Sequence, residues 1–298
     1  MVEASPLIAA IGNFDGVHLG HQHLLRETIE FAKAHDARAG VVVFNPHPYR
    51  YFNPDAPPFL LTDPAQREAL LCCCGVDEVI NLPFNKALAS MSPEEFVQGV
   101  LIERLGLAGA VTGVDFRFGA GRAGDGAALQ SLGAAVGLKI KLVDVLSGAP
   151  STDKFGSSAA RKAIRAGDVK AVQAMLGRPW AVEGVIIEGQ KLGRTLGFPT
   201  ANMLLGDTIE PRRGVYAVTV KVDGSNYKGV ANFGRRPTVG APAPLLEVHL
   251  FDFDGDLYGK KIEVAFIDFI RDEEKFDGLD ALKAQIQKDS VTAKEILR

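Results

Sequence analysis

The chain has 298 residues, 47% of them apolar and 23% charged, which fits a globular protein long enough for two ordinary domains and excludes a disordered one. A formal charge of −3 gives no overall basic field, so nucleic-acid backbone binding is not expected and any phosphate chemistry has to be local. Apolar runs such as Val41-Val42-Val43-Phe44 fall far short of the ~20 residues of a spanning helix, and Met1-Val2-Glu3 lacks the basic start of a signal peptide, so no membrane is expected and a cytoplasmic location is the default.

Up to about Gly177 short β-branched runs alternate with helical stretches. Strands are expected at Leu7 to Ile11, Gly40 to Phe44, Val79 to Leu82, near Ala110 to Thr112 and at Ile140 to Val145, with helices at Gln22 to Ala34 and Pro64 to Cys74. This alternation predicts a parallel sheet flanked by helices. Asp63-Pro64 and Ser92-Pro93 each place a capping side chain before a proline at the first helical position. The three cysteines, Cys72-Cys73-Cys74, fall in a helix where neighbours diverge by about 100°, so they read as small helix residues and not as a metal site.

Asp168 is expected to cap a last helix, after which the pattern changes. From Trp180 onward come strands at Ala181 to Glu188, Val215 to Val222, Tyr227 to Phe233, Leu246 to Phe253 and Lys261 to Phe266, separated by turns such as Asp223-Gly224, which predicts an antiparallel sheet or small barrel. An amphipathic helix is expected over Asp272 to Asp289, with Leu279, Leu282 and Ile286 on its apolar face. The boundary near 177–181 divides the chain into residues 1–178 and 179–298.

His18-Leu19-Gly20-His21 stands where a strand hands over to a helix, the place where parallel sheets bind ligands and helix amides attract anions. Read from the residues alone, these imidazoles could bind zinc, serve a structural pair or meet a phosphate, although no second ligand cluster with metal spacing accompanies them. His23 lies outside the motif and reads as an ordinary helix residue. Gly119, Gly121 and Gly124 match GxGxxG, with Asp144 20 residues further on. That would suggest an oxidoreductase, but Asp115 to Phe118 separate these glycines from the strand they should close.

The run Gly12-Asn13-Phe14-Asp15-Gly16-Val17-His18-Leu19-Gly20-His21 resembles the HxGH signature of nucleotidyltransferases in the form carried by bacterial bifunctional riboflavin kinase/FAD synthetases. Phe44-Asn45-Pro46-His47-Pro48 and the loop from Gly113 through Asp115, Arg117 and Arg122 to Gly124 are similar to further segments of that family. The resemblance implies that His18 and His21 act catalytically on ATP phosphates, with Gly12, Phe14 and Asp15 also at ATP, and that Asp115, Arg117 and Arg122 belong to an FMN-binding loop. Gly156-Ser157-Ser158-Ala159-Ala160-Arg161 resembles a second adenylyl-transfer motif, implying that Ser157, Ser158 and Arg161 reach ATP. There Gly156 replaces a serine and Ala160 an isoleucine, so adenylylation is expected to be the weaker activity.

Gly193-Arg194-Thr195-Leu196-Gly197-Phe198-Pro199-Thr200-Ala201-Asn202 is similar to the riboflavin kinase GxPTAN motif, which implies Thr200 and Asn202 as ligands of Mg2+ in MgATP. Gly193, Arg194, Gly197, Pro199, Asn232 and Arg271 are then expected at flavin or ATP, and Glu247 as the catalytic base. His249 would share a face with Glu247 on a regular strand and reads as a half-buried structural histidine.

The fold implied is a Rossmann-like parallel α/β nucleotidyltransferase domain followed by an antiparallel β-barrel riboflavin kinase domain with a C-terminal helix. The activity implied is phosphorylation of riboflavin to FMN and adenylylation of FMN to FAD, both from ATP, with no oligomeric state specified. The rival readings are a monofunctional kinase whose N-terminal half regulates, and a flavin or nucleotide sensor.

Overall fold

The structure, a computed structural model, describes residues 5–144, 156–188, 197–235 and 244–298. The chain forms two compact units, Met1–Ala56 with Pro64–Gly156, and Pro57–Asp63 with Ser157–Arg298.

The first unit is a five-stranded parallel sheet. Its strands are β1 (Leu7–Ile11), β2 (Arg38–Asn45), β3 (Glu78–Pro83), β4 (Leu107–Gly113) and β5 (Lys139–Val143), in the order β3-β2-β1-β4-β5. The unbroken apolar run of β1 follows from its central place, because alternate residues feed two different cores. Ile8 and Ala10 join Val41 and Val43 on one face, while Leu7, Ala9 and Ile11 join Val42 and Phe44 on the other. The first face packs α1 (Leu19–Lys33) and the residues around α3 (Pro64–Cys73), which follows the short α2 (Pro48–Phe52). The opposite face packs a helix that begins at α5 (Pro93–Glu95), after the short α4 (Lys86–Ala89), and widens to π-type winding over Phe96–Arg104, together with α6 (Gly126–Ala135).

The strand order reverses direction between β1 and β4, so the loops leaving their carboxyl ends face a common crevice, the usual ligand position in such sheets. Those loops carry His18 and His21 on one side and Asp115 to Arg122 on the other. Helix α1 begins three residues earlier than the sequence pattern suggests, because the His18 side chain caps it, accepting the His21 backbone N–H at 3.2 Å. GxGxxG does not close β4: residues 114–118 intervene, Phe118 and Gly124 bridge as an antiparallel pair, and Gly119 and Gly124 flank a single 3-10 turn, Ala120–Arg122, that contains Gly121.

The second unit is a closed barrel of β6 (Trp180–Ile187), β7 (Ala201–Met203), β8 (Gly214–Val222), β9 (Ser225–Arg235), β10 (Pro244–Leu250) and β11 (Lys261–Arg271), in the order β10-β7-β6-β11-β8-β9. Its interior is filled by inward residues including Val182, Val218, Phe233, Leu246, Val248 and Phe266, with Trp180 stacked on Phe266 at 4.8 Å. Two helices, α7 (Ser157–Ala166) and α8 (Val169–Leu176), pack into this same core through Ala160, Ile164, Val172 and Leu176. Sequence reading assigns them to the N-terminal domain, but their apolar faces are covered here by barrel residues. The segment Pro57–Asp63 joins the same unit: Phe59 and Leu60 donate backbone N–H groups to Asp207, and Trp180 Nε1 donates to the Leu61 carbonyl at 2.8 Å.

The last helix, α9 (Leu279–Ile296), is displaced from its expected span of 272–289. It starts after Gly278, whose φ of 109° suits glycine and interrupts any helix entering from Asp272. Leu279 is 55% exposed, so the buried stripe begins later and runs through Asp289, Ser290, Ala293 and Leu297. Asp289 sits on that stripe because it pairs with Arg271 at the end of β11: Arg271 Nε donates to Oδ1 at 2.9 Å and Nη2 to Oδ2 at 2.7 Å. Removing one partner of so buried an ion pair costs about 3–5 kcal/mol.

Gly214, at the start of β8, has φ 145°, and a Cβ there would collide with the Arg271 carbonyl oxygen. Gly214→Ala is therefore expected to cost at least about 2 kcal/mol. Gly224→Ala, at φ 84° in open space, should lose only about 1 kcal/mol. Trp180 is the single tryptophan and is buried in this unit, so its fluorescence in a urea titration reads both values directly.

Candidate active sites

In the first unit the Gly12–His18 loop departs from ordinary backbone geometry. Phe14, Gly16 and Val17 have φ values of 51°, 81° and 42°, and for a β-branched valine that is an outlier. The side chains of Phe14 and Val17 are drawn into the core, at 0% and 1% exposure, which holds the turn in place. Beyond it the His18 and His21 rings stack at 3.6 Å with planes 18° apart. Face-to-face stacking does not converge two nitrogen lone pairs on one ion, so the pair is not arranged as a zinc site.

His18 Nδ1 accepts the His21 backbone N–H, which places the neutral imidazole proton on Nε2 and makes that atom a donor. Burial, followed by the neighbouring His18, holds the His21 pKa well below the ordinary imidazole value, so His21 is neutral at pH 7. Its Nδ1 is buried with no hydrogen-bond partner among the described residues. Asp15, in the turn before them, is 2% exposed.

A cavity of about 720 Å³ opens beside this loop, within the usual size range of small-molecule sites. Its wall combines Gly12 and Asn13 with Phe44, Phe84, Phe116 and Phe118, and Asp115, Arg117 and Arg122 line it as well. The structure thus brings Gly12 together with the three loop residues, whereas His18, His21, Phe14 and Asp15 stand outside the lining. Arg117 is paired with Asp125 at 3.0 Å, and Asp125 caps α6; the Ala128 backbone N–H, then Arg117, lowers its carboxyl pKa.

Ser157, Ser158 and Arg161 open α7 of the second unit. Arg161 Nε donates to the Phe59 carbonyl at 2.8 Å and its guanidinium lies over the Phe59 ring, so in this structure it holds the 57–63 segment. Ala160 is fully buried in the same core.

The barrel site is built by register. Glu247 on β10 lies directly opposite Asn202 on β7 and Asn232 on β9; Asn232 faces Val215 on β8, which faces Arg271 on β11. Directly opposed residues share a face. The face is the outer one, because the flanking Ala201, Met203, Leu246, Val248, Ala231 and Phe233 fill the barrel interior. Phe233 accordingly occupies core volume.

Pro199 and Thr200 line a small cleft of about 80 Å³ with Asp256 and Tyr258. His249, expected as a half-buried structural histidine, is half-buried, and its Nδ1 donates to the Pro199 carbonyl at 2.8 Å, which fastens the residue before Thr200 to the strand of Glu247. Its two-residue spacing from Glu247 was the available signal. Arg271, expected at flavin or nucleotide, has its guanidinium engaged with Asp289 and with the Asp272 carbonyl. Gly197 has φ 88°, a left-handed turn that suits glycine. Gly193 and Arg194 lie outside the described residues.

Residues 2–158 match the family described as FAD synthetase, and residues 176–297 that described as riboflavin kinase. The bifunctional riboflavin kinase/FMN adenylyltransferase of Escherichia coli (strain K12) is 39% identical over 289 residues, covering 97% of this chain and 92% of that protein. Its counterpart in Pseudomonas fluorescens is 40% identical over 292 residues, with the same coverage of 97% and 92%. A crystal structure described as a macrolide-efflux protein from Streptococcus pneumoniae is similar at a TM-score of 0.87 and 31% identity, over 99% of this chain and 95% of that one. Among the described residues no helix is long and apolar enough to cross a membrane. Matched along nearly its whole length, and by both families in succession, the chain belongs to the bifunctional riboflavin kinase/FMN adenylyltransferases, transferases that make FMN from riboflavin and FAD from FMN.

Proposed function

We propose that the barrel unit phosphorylates riboflavin with Glu247 as base, and that the parallel-sheet unit adenylylates FMN around His18 and His21. The observation that carries this reading is the outward row in which Glu247 stands between Asn202 and Asn232, a carboxylate flanked by amides beside the Pro199–Thr200 turn. The ribityl 5′-hydroxyl is a neutral alcohol, and its attack on a phosphoryl group calls for an acceptor for its proton. Glu247 supplies that acceptor.

Kinases and adenylyltransferases use a divalent metal with ATP. Among the described residues no cluster of three His, Cys, Asp or Glu side chains could hold an ion, and Thr200 and Asn202 offer neutral oxygens instead. Such a donor set suits Mg2+, which keeps waters and phosphate oxygens in its shell. When bound, the ion neutralises charge on the nucleotide phosphates. His249 holds the Thr200 turn in position, and Asn232, Pro199 and Gly197 shape the surroundings of flavin or nucleotide. Gly193 and Arg194 are assigned there by resemblance alone. For Arg271 to meet a ligand, it would have to do so while bonded to Asp289.

FMN brings a phosphate that is already ionised at pH 7 and needs no base. Catalysis there requires donors that follow charge developing on ATP phosphates, and the His18 Nε2–H and the neutral His21 ring, at the N-terminus of α1, provide them. The aromatic wall of the 720 Å³ cavity suits a flat flavin ring, with Asp115, Arg117 and Arg122 at its edge. Ser157, Ser158 and Arg161 are assigned to ATP by resemblance, and Arg161 would first have to release the Phe59 carbonyl.

Glu247→Gln should lower FMN formation by about 10²-fold or more while FAD formation from supplied FMN persists; chromatography of both half-reactions reads this, and equal loss of both overturns the division of labour. His21→Ala should give the reverse pattern, with kinase turnover retained.

A pH effect follows from His21. Its folded pKa lies below the ordinary ~6.5 of the unfolded chain, so the unfolded state binds more protons below that value and stability falls as pH drops. Comparing melting by circular dichroism between pH 7.5 and 5, the wild type should lose more stability than His21→Asn. Equal slopes would show that His21 is not buried neutral.

A further inference from the structure

Arg67 lies on α3, outside every motif that marks either activity, yet it is 4% exposed. With Leu71 one turn later it faces the sheet, where a helix normally presents an apolar residue. Its Nη1 donates to the Asn13 carbonyl at 3.1 Å and its Nη2 to the Phe44 carbonyl at 3.3 Å. One side chain thereby joins the turn after β1 to the end of β2.

Both acceptors belong to elements that matter for adenylyl transfer. Asn13 immediately precedes the positive-φ stretch Phe14 to Val17, and Asn13 and Phe44 both line the large cavity. Backbone held in a sparsely populated conformation persists only when its surroundings over-determine it. The buried Phe14 and Val17 side chains restrain the turn from one side, and the guanidinium restrains its carbonyl from the other. Arg67 also brings a positive charge to the region beneath this turn. Burial lowers its pKa from the usual arginine value, with Asp15 and then Glu68 acting in the opposite sense, and it stays cationic at neutral pH.

We propose that Arg67 is a positioning residue for adenylyl transfer, its planar fork setting the turn that presents His18 and His21 relative to the wall of the flavin cavity. This rests on the assignment of adenylyl transfer to that turn. A lysine would keep the charge but, as a single point donor, would not span two carbonyls on separate strand ends in the same geometry.

The test uses the full-length chain and the variants Arg67→Lys, Arg67→Gln and His21→Ala. FAD formation from supplied FMN and FMN formation from riboflavin are measured in the same preparations, with circular dichroism melting to give the folded fraction. Arg67→Lys should lower kcat for FAD formation at least tenfold, with a smaller change in KM for FMN, an unchanged kinase rate and a folded fraction equal to wild type at the assay temperature. Arg67→Gln should be lower still. Wild-type kcat in Arg67→Lys, or a loss that merely tracks the folded fraction in both arginine variants, overturns the proposal. If His21→Ala is inactive in adenylylation while Arg67→Lys is fully active, the inference about Arg67 alone fails. FAD formation undiminished in His21→Ala overturns the assignment of the turn itself, and the role of Arg67 with it.

Discussion

Strand register is the constraint on which the barrel half depends. Side chains alternate with a period of two, so a one-residue slip of β10 would send Glu247 into the apolar interior and turn Leu246 and Val248 outward. The packing that fixes the register is therefore the same packing that sets Glu247 on the outer face. Asn202 and Asn232 inherit their places from it, since each is defined only by what lies opposite Glu247. Function and core stability are here two faces of one strand.

The parallel sheet solves a different problem. Its attacking group arrives charged, so the protein needs donors more than a proton acceptor, and burial supplies donors whose protonation state is fixed. His21 is kept neutral by desolvation, and His18 is locked into one tautomer by the amide it caps. Stacking at 3.6 Å also penalises charging both rings together. The turn carrying them is backbone under local strain, held by apolar anchors and by a guanidinium. Rigidity costs stability in such turns, and it is the surrounding core that offsets the cost.

Much of this is legible in the sequence. The apolar run Leu7 to Ile11 announced a central strand, and the capping residues of Ser92 and Asp168 marked helix starts that the structure has. What failed did so for physical reasons. Helix α9 was placed too early because Asp289 reads as a polar end to an apolar stripe, whereas it lies in the middle of the buried face, paired with Arg271. Strand β7 is three residues long and sits inside a motif that reads as a loop. Helices α7 and α8 show an apolar face in sequence, but sequence does not say which core covers it. The catalytic side chains were recognisable from their motifs, while their alignment in one row was not, because register between distant strands leaves no local trace. Arg67 left no trace either: an arginine in an amphipathic helix ordinarily means solvent.

The segment Pro57–Asp63 lies in sequence within the parallel-sheet half but is packed with the barrel. Leu61 meets Trp180 across 119 positions of chain, and Phe59 meets Arg161 across 102. During synthesis this stretch emerges well before the strands that will cover it, so the second unit stays incomplete until its last strands are made, with one of its own pieces long since exposed. No single cut in the gene separates the two halves cleanly: a fragment ending at Gly156 carries Phe59 and Leu61 away from their partners, and the remainder lacks the plug that receives the Trp180 indole.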